Sequence, residues 1–415
     1  MNIEKKNVKD LLPADYNPRK DLQPGDTEYE KLKRSIEQFG YVEPVIWNKQ
    51  TSRVVGGHQR LKVLIDSGIT EVDVVVVDMN TEKEKALNIA LNKISGEWDT
   101  DKLALVIADL QGADFDVSLT GFEPEELDDL FRDDVKDGVK EDDFDVEAEL
   151  QKPVFSKAGD LWMLGEHRLF CGDSTKSETY ELLMNGKHAQ LVVTDPPYNV
   201  DYKGTAGKIK NDKMAEDQFE QFLLAAYSQM YESMTDDASI YVFHSDSHGL
   251  AFRKAFEEAG FYLSGCCIWK KQSLVLGRSP YQWQHEPVLF GWKKKGKHQW
   301  YTGRKESTIW EFDKPKKNAD HPTMKPVALV AYPIMNSTMT GCLVLDPFGG
   351  SGSTLIACEQ TGRTCYTVEL DEKFCDVIVK RYIDQVGSAE GVTVLRDGLT
   401  YRFDEIDTGE NSPEK

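Results

Sequence analysis

Apolar runs alternate with helical patterns in two separate parts of the chain. In the first part, a helical pattern covers Tyr29–Phe39, and apolar strands are predicted at Pro44–Trp47 and Val72–Val77. A glycine turn followed by a helix over His58–Asp66 lies between those two strands. This pattern predicts a small α+β domain over residues 1–100.

The second part predicts a larger α/β domain. Over residues 151–401, apolar strands alternate with helical patterns, which is typical of a doubly wound, mostly parallel sheet. Between the two domains, residues 101–150 read as a helical segment followed by an acidic linker. The polar residues 402–415 predict a disordered tail.

Charge is distributed so unevenly that the formal net charge of -21 is misleading. Residues 114–149 hold 16 acidic and 3 basic residues, the composition of a solvated linker. By contrast, residues 270–317 hold 12 basic and 4 acidic residues, interleaved with tryptophan and tyrosine. Such a basic aromatic segment suits a surface that contacts phosphates, although a solvated surface over a small core of its own is the alternative.

Several classes of protein are excluded by what the chain lacks. No apolar run approaches the roughly 18 residues of a membrane-spanning helix, and the first residues lack the apolar stretch of a secretion signal. The seven cysteines are scattered, no Cys-x-x-Cys occurs, and His244 and His248 lack an evident third ligand. We therefore expect a reduced, cytoplasmic protein with no metal site and no membrane partner.

The first motif that carries chemistry follows a short buried strand. Leu191–Val193 leads into Asp195-Pro196-Pro197-Tyr198, at the carboxyl end where doubly wound sheets place ligands. The prolines stiffen the loop and remove amide donors. Asp195 and the Pro196 carbonyl could then accept the amino protons of adenine or cytosine while Tyr198 stacks on the ring. A rigid turn with a capping Asp is the structural alternative.

A second strand-turn-helix unit lies further along the chain. The strand Leu343–Leu345 leads into a glycine turn and a helix over Ser353–Thr361, and the next strand ends at Glu369, whose carboxylate can accept ribose hydroxyls. The turn lacks the third glycine of a dinucleotide fingerprint and the Gly-Lys-Ser/Thr of a triphosphate loop. S-adenosylmethionine fits better, and a plain turn is the alternative. The candidate ligand-binding residues of the turn are Asp346, Pro347, Phe348, Gly350, Gly352 and Thr354.

In this order, the two motifs resemble those of the DNA amino-methyltransferases of the N6-adenine and N4-cytosine type. The catalytic motif comes about 150 residues before the cofactor loop, as in that family's β group. That group places a target-recognition region between them, here about residues 203–320. The resemblance implies S-adenosylmethionine as cofactor, with Thr323 and Lys325 on its methionine carboxylate and Asp173 on its adenine amino group. A cation plus a hydroxyl suits a carboxylate.

The first domain resembles, less strongly, the ParB-like (ParB/sulfiredoxin) domain. The matching stretch is Val54-Val55-Gly56-Gly57-His58-Gln59-Arg60. Related domains bind nucleotides or DNA, and glycines at a helix start together with Arg60 make a phosphate site conceivable. Because His58-Gln59-Arg60 replaces the family's Gly-Glu-Arg-Arg pattern, a nuclease or nucleotide-hydrolysing activity is not expected. The resemblance implies a DNA-binding or positioning accessory.

Together, the resemblances imply a site-specific methyltransferase that acts on the N6 amino group of adenine in double-stranded DNA, with the base flipped out. Asp rather than Ser before Pro-Pro-Tyr favours adenine. The open alternatives are N4-cytosine methylation, methylation of RNA, and a DNA-binding ParB-like regulator with an inactive methyltransferase domain. Attack at ring carbon 5 of cytosine is not expected, because the chain has no Pro-Cys pair. Whether the chain forms a homodimer is left open by the sequence.

Overall fold

The computed structural model divides into two compact units, Met1–Arg132 and Asp133–Lys415, which are described separately. Within the described ranges, no helix combines the length and the apolar character needed to cross a bilayer. The structure describes residues 2–92, 98–112, 115, 117–120, 122, 126, 130, 138–200, 203–204, 207–208, 212–275, 280–302, 305–313 and 324–409.

The first unit is built on a five-stranded mixed sheet in the order β1-β5-β3-β4-β2. Helix α2 starts at Gly57, whose φ of 85° lies in the left-handed region that favours glycine. Leu61 and Leu64 of this helix pack on Val45 and Val74 of the sheet. The elements are β1 Asn2–Asn7, β2 Leu12–Pro13, α1 Thr27–Phe39, β3 Val45–Asn48, β4 Arg53–Gly56, α2 His58–Asp66, β5 Glu71–Val77, α3 Thr81–Asn92 and α4 Thr100–Gly112.

The second unit contains an eleven-stranded sheet, in the order β14-β12-β13-β11-β8-β15-β16-β7-β6-β17-β18, and a two-stranded ribbon, β9-β10. The five central strands, β11, β8, β15, β16 and β7, are parallel, and antiparallel strands flank them. The strands are β6 Leu161–Leu164, β7 His167–Cys171, β8 Ala189–Thr194, β9 Lys203–Gly204, β10 Gly207–Lys208, β11 Met234–Phe243, β12 Phe261–Val275, β13 Trp283–Lys293, β14 Ile309–Glu311, β15 Leu343–Asp346, β16 Thr364–Glu369, β17 Val392–Arg396 and β18 Leu399–Arg402.

Helices cover both faces of this sheet, which confirms the predicted doubly wound α/β class. Because successive strand residues point to opposite faces, Leu191 and Val193 of β8 lie in one hydrophobic core and Val192 lies in the other. The helices of this unit are α5 Val146–Glu149, α6 Ser177–Met184, α7 Glu216–Ser233, α8 Gly249–Glu258, α9 Val327–Ser337, α10 Ser353–Gln360 and α11 Glu372–Val386. Helices α9, α10 and α11 close the first core, and α6, α7 and α8 close the second.

The basic aromatic segment 270–317 corresponds in part to the hairpin of β12 and β13, with the short strand β14 beside it. Trp310 is only 4% exposed and Tyr301 only 7%, so these rings pack inside the domain. Tyr281 is 90% exposed and Trp283 is 43% exposed. Only some of the interleaved aromatic residues are therefore available to a ligand.

The acidic segment makes specific contacts where the structure describes it, from residue 138 onward. The Glu141 carboxylate accepts hydrogen bonds from the amides of Val327 and Ala328, at the start of α9, where the helix dipole favours a negative charge. Asp142 accepts a hydrogen bond of 2.8 Å from Nε of Arg381. The sequence predicts a solvated linker here, whereas these carboxylates cap a helix and pair with a buried cation.

The end of the chain also differs from the expectation of a disordered tail that starts at residue 402. Arg402 is the last residue of β18, and a short 3-10 helix follows at Phe403–Glu405. The Phe403 ring lies 5.8 Å from the Phe155 ring in an edge-on contact. This aromatic contact holds the first part of the predicted tail against the core.

Replacing Asp142 with asparagine removes the carboxylate charge next to the buried Arg381 guanidinium. Because removal of one member of a buried ion pair costs about 3 kcal/mol, D142N should lower the free energy of unfolding by about that amount in urea titrations. The matched variant D404N, at the exposed pair with Arg402, should cost less than about 1 kcal/mol. Equal losses in the two variants would contradict the structural role of the acidic segment.

Candidate active site

The carboxyl ends of the central strands surround a cavity of about 510 Å³. Strand β8 is hydrogen-bonded to β15, and β15 to β16, so the loops that follow these strands meet at one edge of the sheet. Gly352 lies beside the cavity, where it starts α10 with a φ of 84°, and Thr323 lies outside the described residues. The predicted residues that line the cavity are Asp173, Asp195, Pro196, Pro197, Tyr198, Lys325, Asp346, Pro347, Phe348, Gly350, Thr354 and Glu369.

The glycine turn is closely packed against strand β16 and helix α11. A Cβ atom on Gly349 would lie 2.5 Å from the Thr367 hydroxyl oxygen and 3.0 Å from a methyl carbon of Ile378. Gly350 and Gly352 have φ values of 51° and 84°, which favour glycine. The turn therefore needs glycine, and it exposes backbone to the cavity at the start of α10.

Glu369 lies at the end of β16, opposite this turn. Its Oε2 atom accepts a hydrogen bond from the Gly350 amide and its Oε1 atom accepts one from the Asp371 amide, both at 2.8 Å. Burial raises the pKa of Glu369 to about 7. Since a carboxylate has about four acceptor positions, Glu369 keeps the capacity to accept ribose hydroxyls from a ligand.

Asp346 links the two halves of the cavity. Its Oδ1 atom accepts hydrogen bonds from the Thr194 hydroxyl at 2.9 Å and from the Phe348 amide at 3.1 Å. Burial raises the pKa of Asp346 to about 7. Because Thr194 immediately precedes Asp195, this side chain fixes the cofactor turn relative to the catalytic motif.

Asp173, at the end of the loop after β7, also faces the cavity. Its Oδ1 atom accepts hydrogen bonds from the Thr175 amide at 2.9 Å and from the Thr175 hydroxyl at 2.7 Å. These bonds hold the carboxylate in place across from the glycine turn. The position is compatible with a contact to the amino group of an adenine ring.

The catalytic motif has an unexpected internal arrangement. Sequence reasoning assigned the Tyr198 ring to stacking, but its hydroxyl donates a hydrogen bond of 2.5 Å to Oδ1 of Asp195. Burial, and then the charges of Asp195 and Glu286, raise the pKa of the Tyr198 hydroxyl well above its ordinary value. Tyr198 therefore stays protonated and orients the Asp195 carboxylate.

Lys325 occupies the other oxygen of Asp195. Its ammonium nitrogen lies 2.5 Å from Oδ2 of Asp195 and 3.2 Å from Oε2 of Glu286. Although burial lowers the pKa of Lys325, these two carboxylates raise it above its ordinary value. The resemblance placed Lys325 on a cofactor carboxylate, whereas the structure places its ammonium group between two carboxylates of the protein.

Glu286, on β13, lines the cavity and is a candidate site residue that the sequence motifs did not reveal. Its Oε1 atom lies 2.5 Å from the ammonium nitrogen of Lys271 on β12. Burial raises the pKa of Glu286, but Lys325 and Lys271 outweigh this effect and lower it to about 2. The one available signal was an acidic residue within an otherwise basic segment, and it did not reveal that the hairpin brings Glu286 next to Asp195.

The fold and this cavity define a class of protein. A parallel α/β sheet carries a glycine turn, an acid at the end of the next strand, and an Asp-Pro-Pro-Tyr loop at the neighbouring strand end. The glycine turn, Glu369 and Asp173 fit an adenosine that carries no phosphate. This combination is that of a Rossmann-like methyltransferase.

Comparison with known families identifies the chain more closely. Residues 189–380 match the model of the DNA methylase family, residues 1–93 match the ParB N-terminal domain, and residues 101–158 match the ParB-methyltransferase HTH domain. The chain therefore contains a region similar to the N6/N4 DNA methylases, and regions similar to ParB-type domains precede it. Both predicted resemblances are confirmed, and so is S-adenosylmethionine, the cofactor of this family. The HTH domain was not recognised in the sequence, where the acidic residues obscured it.

Individual relatives agree with this assignment. The putative methylase YubD of Escherichia coli (strain K12) is 28% identical over 205 residues, which are 46% of this chain and 79% of that protein. The type II methyltransferase M.HpaI of Haemophilus parainfluenzae is 25% identical over 52% of this chain and 74% of its own length.

Two solved structures show a distant likeness. The M1.HpyAVI-SAM complex is 22% identical, with a TM-score of 0.41 over 51% of this chain and 98% of its own. The PvuII DNA methyltransferase (cytosine-N4-specific) is 16% identical, with a TM-score of 0.39 over 53% of this chain and 90% of its own.

The environment of Glu369 predicts how cofactor binding depends on pH. Ribose hydroxyls bind the ionised carboxylate better than the protonated one, so binding should release a proton and tighten as pH rises between about 6 and 8. The variant E369Q should bind S-adenosylmethionine at least about tenfold more weakly and lose this dependence, as measured by calorimetry. The exposed control E390Q should behave like wild type. An unchanged pH dependence in E369Q would contradict this role.

Proposed function

We propose that this chain transfers a methyl group from S-adenosylmethionine to the N6 amino group of adenine in double-stranded DNA. The observation that carries the proposal is the position of Asp195, which lines the same cavity as the glycine turn and Glu369. A methyl donor held by the turn and an amino group held by Asp195 would share one enclosed space. Direct transfer between two bound groups needs this proximity.

The chemistry asks the protein to activate a weak nucleophile. The lone pair of the adenine amino nitrogen is delocalised into the ring, and acceptors that bind its two N–H groups favour a tetrahedral nitrogen. The Asp195 carboxylate and the Pro196 carbonyl are adjacent acceptors, and the two prolines hold their loop rigid. After transfer, the nitrogen loses one proton, which passes by way of Asp195 to solvent.

The remaining residues of the cavity would hold the cofactor. Bound S-adenosylmethionine would supply a methyl group on a positively charged sulfur, a leaving group that keeps the electrons of the S–C bond. Glu369 would accept the ribose hydroxyls, and Asp173 would accept the amino group of the cofactor's adenine. The absence of side chains at the glycine turn lets the nucleoside approach the backbone.

Access to the cavity requires that the target base leave the duplex, since a stacked base cannot reach Asp195. The exposed rings of Tyr281 and Trp283 lie on the side of the β12–β13 hairpin, and Trp283 also lines the cavity. Together with the exposed Lys270, Lys294, Lys295 and Lys297 of the basic aromatic segment, they would offer stacking and phosphate contacts to the DNA around the flipped base. This segment is our candidate for the target-recognition region.

The choice of adenine over cytosine rests on the aspartate of the motif. Asp195-Pro196-Pro197-Tyr198 has Asp where the family's N4-cytosine members favour Ser, and an amino group of either base would fit the same acceptors. N4-cytosine is therefore the second candidate. A regulator with an inactive methyltransferase domain is disfavoured because Asp195, the glycine turn and Glu369 are all in place.

The N-terminal domains would position the enzyme on DNA. In the ParB-like domain, burial lowers the pKa of His58 to about 4, so this imidazole is neutral. Its Nε2 atom accepts a hydrogen bond of 3.3 Å from the Ala14 amide. His58 is thus held in a structural contact, which supports an accessory function rather than a hydrolytic one.

The reaction itself is testable on unmethylated DNA. Incubation with labelled S-adenosylmethionine, followed by nucleoside digestion and mass spectrometry, should yield N6-methyladenine. Formation of N4-methylcytosine would keep the proposed mechanism but change the target base from adenine to cytosine. If cofactor binds but no methylated nucleoside forms on any duplex DNA, the proposal is wrong.

Removal of the Asp195 carboxylate should separate catalysis from cofactor binding. D195A should reduce methyl transfer by at least about 100-fold, as expected when one polar group that contacts the reacting atoms is lost. Its affinity for S-adenosylmethionine should stay within about twofold of wild type, and the exposed control D217N should keep full activity. Loss of both properties in D195A would indicate a structural role.

A further inference from the structure

Four charged side chains form an alternating row beside the catalytic motif. Lys271 contacts Oε1 of Glu286 at 2.5 Å, and Lys325 bridges Oε2 of Glu286 at 3.2 Å and Oδ2 of Asp195 at 2.5 Å. The two cations balance the two anions. All four side chains line the cavity that also contains the glycine turn and Glu369.

The Lys325 ammonium group is buried and depends on its hydrogen-bond acceptors. Its side chain is only 10% exposed, and the ammonium group also approaches the Tyr198 hydroxyl at 3.3 Å, so its three N–H groups have three acceptors. An unpaired ammonium group in such a site is strongly destabilised. The backbone of Lys325 is held as well, because its carbonyl accepts a hydrogen bond of 2.7 Å from the Ser353 hydroxyl.

Binding of the target base creates a conflict at Asp195. If Asp195 accepts the amino group, as the proposed function requires, that group meets the Tyr198 hydroxyl at Oδ1 and the Lys325 ammonium group at Oδ2, each 2.5 Å away. A charged ammonium donor competes strongly with a neutral amino donor for a carboxylate. Lys325 therefore competes with the target amino group for Oδ2 of Asp195, and its movement away from this oxygen makes room for the base.

We propose that Glu286 is a positioning residue that takes over the Lys325 ammonium group when the target amino group binds Asp195. In the free protein, Lys325 occupies the place of the target amino group. As the base enters, only the end of the Lys325 side chain moves, toward Oε2 of Glu286, and the buried cation keeps a carboxylate partner throughout. This inference rests on the proposed function for the identity of the entering group.

The surroundings of Glu286 suit this role. Lys271 binds the other oxygen and helps to keep the pKa of Glu286 low, so the carboxylate stays ionised while the base is bound. Glu286 lies on β13 and Lys271 lies on its paired strand β12. Both residues are outside the Asp-Pro-Pro-Tyr motif and the glycine turn. The hairpin thereby contributes to the catalytic centre as well as to the candidate DNA surface.

The test is a double-mutant cycle on single-turnover methyl transfer at saturating cofactor. E286Q leaves Lys325 dependent on Asp195 and should slow transfer at least about tenfold, while its affinity for S-adenosylmethionine stays unchanged. K325M removes the competing cation, so E286Q should have little further effect in the K325M background. The matched control E220Q, at the exposed pair with Lys254, should match wild type.

Independent losses that multiply in the double variant, or a wild-type rate in E286Q, would overturn this inference. A wild-type protein that transfers no methyl group would instead contradict the proposed function. A second readout does not need transfer: the side-chain ammonium NMR signal of Lys325, assigned by its loss in K325M. With DNA bound, this signal should persist in wild type and disappear in E286Q through exchange with water. A signal that E286Q leaves unchanged would also overturn the inference.

Discussion

The parallel pairing of β8 with β15 is the constraint on which the rest of the site depends. It brings together two loops that are separated by about 150 residues in the sequence, the Asp-Pro-Pro-Tyr loop and the glycine turn. The buried hydrogen bond from Thr194 to Asp346 fixes their relative position. Because both strands are buried on two faces, this geometry is maintained by the same packing that stabilises the domain.

The parts of the site that depend on local sequence could be predicted. The apolar runs before the glycine turn and before Asp195 predict two strands, and the end of the next predicted strand identifies Glu369. The partner of Lys325 could not be predicted, because Glu286 reaches it through the register of the β12–β13 hairpin. For the same reason, no pattern distinguished buried Trp310 from exposed Tyr281, or showed that acidic residues 138–149 pack on the domain.

Charge–charge contacts join these elements into one candidate catalytic centre. Asp195 is held by a protonated tyrosine on one oxygen and a lysine on the other, which fixes the orientation of its carboxylate in the cavity. Farther out, Glu141 caps the helix that begins two residues after Lys325. A segment that the sequence predicts as a linker thus helps to position Lys325 in the candidate site.

In the mechanism that we propose, one cavity holds the methyl donor and the target amino group together. The most direct test of this claim is the affinity of a bisubstrate ligand in which deoxyadenosine is joined through N6 to the sulfur position of an S-adenosylmethionine analogue. If the cavity holds both groups, this ligand should bind at least about 100-fold more tightly than the cofactor half alone, and D195A should remove that gain. Equal affinities of the two ligands for the wild-type protein would contradict the claim.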